Sequence, residues 1–112
     1  MPREAYLVAR RAATLDDLAG AARRVDGRLR VVDAGAYQQV LDPTGQAVCT
    51  LDVARLVEDP ELLAGYVDTV PAGPAWFVEA SVPWSSDADA GVAVLRRLGE
   101  ALGATLVLRD GR

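Results

Sequence analysis

The chain has 112 residues, 51% of them hydrophobic, which suits one self-sufficient core and leaves no need for a second domain, so 1–112 reads as a single domain. Its formal net charge is −4, and all twelve basic residues are arginine, with no lysine or histidine. That excludes imidazole relays, histidine zinc sites, Schiff bases and a phosphate-loop lysine, and it argues against a broad nucleic-acid-binding face.

No apolar run approaches the roughly 18 residues of a membrane span. The opening MPREAYLVARR carries charges where a secretory signal has its apolar region, so the expected compartment is the cytoplasm. The lone Cys49 sits in the alternating stretch QAVCTLDV and reads as a small buried residue rather than a nucleophile.

In chain order, Ala5 to Arg11 is a strand with an apolar centre. Thr14 and Asp17 have the spacing of a weak capping box, after which Leu15, Leu18, Ala22 and Val25 recur at helical period until Gly27 ends the helix. Leu29 to Val32 returns as a strand. Asp33-Ala34-Gly35 is a turn, and Tyr37 to Leu41 alternates Tyr37, Gln39 and Leu41 against Gln38 and Val40. Asp42-Pro43-Thr44-Gly45 has type I turn chemistry, so Ala47 to Val53 pairs back in a hairpin. Gln38, Thr50 and Asp52 are expected to give that hairpin a polar side.

Asp59-Pro60-Glu61 opens a short helix, with Asp59 as cap, proline at the first position and Leu62, Leu63, Tyr66 and Val67 as its buried side. Val70 to Pro74 is a stiff loop. Ala75 to Val82 is a strand, with Trp76, Val78, Ala80 and Val82 on one face and Phe77, Glu79 and Ser81 on the other. Ser86 and Asp89 form a second weak box, ahead of a helix whose stripe is Gly91, Val94, Leu95, Leu98, Ala101 and Leu102. Gly103 offers a left-handed cap, and Ala104 to Leu108 follows as a buried strand.

Two stretches repeat the order strand, helix, strand: Tyr6 to Asp33 and Phe77 to Asp110. The predicted fold is therefore α+β: a mixed, largely antiparallel sheet of five or six strands, with the two longer helices on one face. Its two βαβ halves flank a central hairpin in a ferredoxin-like layout.

Asp87-Ala88-Asp89 lacks the remaining ligands of a calcium loop and reads as a helix cap. The pairs Asp16/Asp17 and Glu58/Asp59 fall at helix starts, where carboxylates complement the dipole, so no catalytic residue, metal or cofactor is expected. The pairs Arg10/Arg11, Arg23/Arg24 and Arg96/Arg97 read as solvated faces.

Two features remain as candidates for partner binding. Asp52, Glu58, Asp59, Glu61 and Asp68 crowd one segment in which Arg55 is the only base, and their plain reading is a solvated helix face. Trp84, in a Pro-Trp-Ser-Ser loop at a strand end, either closes the core or anchors an interface.

With its LDPTGQAVCTLDVARLVE and LRRLGEALGATLVLRDG stretches, the chain resembles small uncharacterised actinobacterial proteins, some of which are similar to immunity proteins of polymorphic toxin systems. The resemblance implies a non-catalytic protein-binding module that neutralises a basic toxin domain such as a nuclease. The acids would then imitate phosphates and Trp84 would serve as the anchor. The alternatives are a small-ligand sensor with a pocket near Tyr37, Trp76 and Trp84, or a homodimer made through a sheet edge.

Overall fold

The computed structural model describes residues 3–84 and 88–109. The elements are β1 (Arg3–Ala9), α1 (Leu15–Val25), β2 (Arg30–Asp33), β3 (Tyr37–Leu41), β4 (Ala47–Asp52), β5 (Arg55–Val57), the 3-10 turn η1 (Pro60–Leu63), β6 (Ala75–Val82), α2 (Ala88–Leu102) and β7 (Thr105–Arg109). The Ser86 cap and the Asp87 start of the calcium-like stretch lie outside the described residues.

The seven strands form one sheet in the order β2-β3-β4-β6-β1-β7, with β5 also on β6, so β4 and β5 share one position as consecutive pieces. Every adjacent pair is antiparallel, where a mixed sheet was expected. Counting alternations along that order makes β1 parallel to β2, and β6 parallel to β7 with β1 between them. This is the ferredoxin-like layout, with the β3–β4 hairpin inserted beside β2. The extra strand over the expected count is β5.

Both helices lie on one face. Leu18, Ala21 and Ala22 of α1 and Val94, Leu95, Leu98 and Leu102 of α2 join Ala5, Leu7 and Ala9 of β1 and Val78, Ala80 and Val82 of β6 in a single core. Cys49 is fully buried there, and burial pushes its thiol pKa up to about 12, which removes it from thiolate chemistry at neutral pH. Within the stripes, Ala101 is exposed, and Leu15 is 38% exposed because it lies in the first turn of α1.

The local signals are made as their residues suggest. The Thr14 backbone N–H donates to Asp17 Oδ2 at 2.9 Å, and Asp17 N–H donates to Thr14 Oγ1 at 3.1 Å, a full capping box. At the other end of α1, the helix stops at Val25 and Asp26 takes the cap, one residue before Gly27. Gly103, at φ 60°, lets Ala104 N–H reach Gly99 O at 2.8 Å and Gly103 N–H reach Glu100 O at 3.2 Å, closing α2 in a Schellman motif. In the hairpin turn, Asp42 Oδ1 accepts from Thr44 N–H, Thr44 Oγ1 and Gln46 N–H.

Four readings are corrected. β1 ends at Ala9, two residues short of Arg11, because Arg11 turns away to donate to Asp17 at 2.8 Å. The polar side of the hairpin is Gln39, Thr50 and Asp52, since Gln39 pairs with Thr50 whereas Gln38 pairs with Leu51 on the helix side. β7 is an edge strand with Leu106 and Leu108 half-buried. Phe77 is 2% exposed although it faces away from the helices, because a second layer covers it.

The Arg11 guanidinium and the Thr14 amide hold the Asp17 carboxyl at about 2, below its ordinary 3.8. A depressed carboxylate stabilises the fold above its unfolded pKa, and that stability is lost as pH falls through the folded value. With the half-exposed Arg11 screened by solvent, Asp17→Asn is expected to cost about 1 kcal/mol at neutral pH. The gap to wild type should close as pH falls from about 4 towards 2, which urea titrations across that range would measure.

Candidate functional site

The face of the sheet away from the helices is only partly covered. Leu63 and Val67, from η1 and the residues after it, pack on Val8, Ala75 and Phe77 as a second, smaller core. Tyr66 extends this cover: its ring centroid is 5.1 Å from those of Tyr6 and Phe77, and Tyr6 stacks on Phe77 at 5.7 Å. Arg109 on β7 ties the segment down by donating to Gly65 O at 3.0 Å.

Asp59, whose side chain accepts from Glu61 N–H at 3.1 Å, and Pro60 at the start of η1 commit the chain to a single tight turn. At three residues per turn, neighbouring side chains diverge by about 120°, so Leu62 and Leu63 cannot share a face. Leu63 goes inward at 2% exposure and Leu62 outward at 68%, with Tyr66 at 38%. That corrects the expectation that all four apolar residues of this segment are buried.

Between β5 and η1 lies a groove of about 740 Å³, lined by Arg55 to Asp59 on one side and by Leu62, Leu63 and Tyr66 on the other, with Phe77 in the lining. Leu56, 48% exposed, contributes to the wall from β5, but it pairs with Trp76, so its side chain points to the other face of the sheet from Leu62 and Tyr66. Glu58 and Asp59 stand on the rim and Glu61 follows in the first turn of η1, all three exposed. Among the described residues none of the three has an ion pair, while the nearby Arg55 is engaged by Glu79 at 3.3 Å. The groove therefore has a mainly apolar lining, with the Arg55 guanidinium 5.6 Å from the Phe77 ring centroid, and an acidic rim that has no ion pair among the described residues.

The other sequence candidates lie elsewhere. Asp52 lines a separate cleft of about 180 Å³ on the open sheet face with Glu4, Tyr6 and Glu79, where Tyr6 donates to Glu4 at 3.0 Å. Burial, then that hydrogen bond, raises the Tyr6 pKa. Asp68 is exposed beyond η1. Trp84 is 51% exposed beneath the Arg3 guanidinium, which lies 4.5 Å from the ring centroid, so it does not close the core. It follows the Val82 end of β6, whereas β5 pairs with Ala75 to Phe77, about 16 Å back along the strand at ~3.3 Å per residue. Trp84 and the groove are two separate places.

The pocket expected near Tyr37, Trp76 and Trp84 is not formed by those residues. Tyr37 pairs with Asp52 on the open face, Trp76 sits on β6 in the opposite orientation, and Trp84 is beyond the strand end. A cleft of about 620 Å³ does occur under the Val70–Pro74 loop, against Val8, Arg10 and Thr105. Among the described residues no group of three or more acidic, cysteine or histidine side chains is placed to hold a metal ion, and no helix is long and apolar enough to cross a membrane.

Comparison with known proteins found no matching family model, no matching curated protein and no matching solved structure.

Proposed function

We propose that the chain is a non-catalytic protein-binding module that neutralises a basic toxin domain, such as a nuclease, through the groove between β5 and η1. One observation carries the reading: Leu62 and Tyr66 stand exposed together beside Glu58, Asp59 and Glu61. Exposed apolar side chains grouped within a polar rim are what a protein interface requires of a surface. The acids steer a cationic partner in, and the apolar lining holds it once water is excluded. Leu62 and Tyr66 take the anchoring role that the sequence alone gave to Trp84. Covering a basic cleft with carboxylates blocks it to phosphate, which is how such a module inactivates a nuclease without chemistry of its own.

The test compares wild type with the triple variant Glu58→Arg, Asp59→Arg, Glu61→Arg in association kinetics against the basic partner recovered by affinity capture. The on-rate of the variant is expected to fall at least about tenfold at low salt, with the difference closing at high salt. An unchanged on-rate and salt slope would mean that these acids are only a solvated surface.

A second reading, a small-ligand sensor, is favoured by the 620 Å³ cleft under the Val70–Pro74 loop, which falls within the size range of small-molecule sites. A metabolite that raises the melting temperature of wild type, and raises it less when Thr69→Trp obstructs the cleft, would select this reading.

A further inference from the structure

β5 forms the inner wall of the groove and is bonded on one side only. Its ladder runs to β6, through Arg55 with Phe77, Leu56 with Trp76 and Val57 with Ala75. On its other side the sheet stops short: β3 follows β4 only as far as the pair Tyr37 with Asp52. There the chain turns towards β2, with Gly35 N–H donating to Asp33 Oδ1 and Ala34 N–H to Tyr37 O. Among the described residues the outer edge of Arg55–Val57 therefore has no strand beside it. The gap lies at the edge of the sheet, next to the groove and its acidic rim.

We propose that this gap receives an extended segment of the basic partner, which adds to the sheet as a strand along the outer edge of β5. The inference rests on the reading of the groove as a protein-binding site and names how the partner is held. An unpaired strand edge is satisfied by another strand, whereas a helix has already spent its backbone donors on itself. The side chains of the occupant follow from the two faces: on the groove side Glu58, Asp59 and Glu61 call for arginine or lysine, and on the other face Leu56, paired with Trp76, calls for apolar residues in alternation with them. In such additions the main chain supplies affinity and the alternate side chains supply selection. With β5 only three residues long, the ladder is short. The rim and the apolar lining must then contribute much of the binding, which confines recognition to segments that are both basic and apolar.

The probe is a fluorescent twelve-residue peptide alternating arginine and valine, measured by anisotropy with the full chain. Two further versions carry N-methyl groups on every second residue, one in each phase, which removes the donors of one peptide edge while keeping composition and charge. The parent peptide is expected to bind, one methylated phase to bind at least about tenfold more weakly, and the amides of Arg55–Val57 to exchange more slowly in the complex. Equal binding by the parent and both methylated phases, lost in Glu58→Arg/Asp59→Arg, overturns strand addition and leaves the groove as a charge-selective site. No peptide binding, while the captured partner still depends on the acids, also overturns it. Peptide binding that ignores the acids counts instead against the proposed function. A dimer in sedimentation that the peptide dissociates overturns the inference in favour of a second copy of this chain as the occupant.

Discussion

Gly91→Ala is expected to destabilise the fold by about 3 kcal/mol, although alanine is the better helix former by roughly 1 kcal/mol. Gly91 lies in the first turns of α2 where the helix meets β4. A Cβ there would overlap the Val48 carbonyl oxygen and come within 2.9 Å of Val82 Cγ1. The register explains the closeness. Val40 pairs with Cys49 and Leu41 with Ala47, so Val48 is the extra residue of a bulge. It is 2% exposed and belongs to the helix-side core, beside the equally buried Cys49. The bulge thus brings the backbone of β4 against α2, and backbone cannot move aside as the end of a flexible side chain can. Gly20→Ala in the interior of α1 is the control. A Cβ there meets nothing within 4 Å, so only the propensity gain remains and stability should rise by about 0.5–1 kcal/mol. Urea denaturation of the two variants should move the midpoint in opposite directions. Equal shifts would mean that α2 is free to lift from Val48.

What was legible in the sequence was what neighbouring residues decide among themselves. The Thr14–Asp17 box, the Asp42 turn and the Gly103 cap are chemistry within a few residues, and each formed where its residues stand. Strands β3 and β6 were readable from alternation and begin and end where it does. β5 was not readable, because three residues carry no period and their extended form comes from lying along β6. The same holds for the site. The acids at Glu58, Asp59 and Glu61 were visible as composition, but the groove they edge depends on Leu62 turning out of a tight 3-10 turn, which a 3.6-residue reading placed inward. Which way Trp84 faces was not legible for a related reason: one aromatic beside a proline has no periodicity to say whether it closes the core or stands out, and here it is half-exposed under Arg3.

Phe77→Ala is expected to cost about 4 kcal/mol, within the range for removing a buried aromatic ring, and to release the cover formed by η1 and the residues after it. Phe77 joins the sheet to that cover. It is 2% exposed, its ring lies against those of Tyr6 and Tyr66, and Leu63 and Val67 belong to the same cluster. The ring is the largest of the buried side chains in that cluster. The helix-side core contains none of these residues, so the loss should be uneven. Amides of Leu63 to Val67 should lose most of their exchange protection, while those of Val94 to Leu98 fall only with global stability. Phe77 also lines the groove, so association with the partner proposed for it should weaken even at temperatures where the variant remains folded. Phe77→Leu, which refills most of the volume, is expected to cost only about 1.5 kcal/mol and to keep the cover in place. Hydrogen exchange followed by mass spectrometry reads both variants. If the Leu63 to Val67 amides stay protected in Phe77→Ala, the cover is held from β7, through the Arg109 bond to Gly65 and the packing of Val107, rather than from β6.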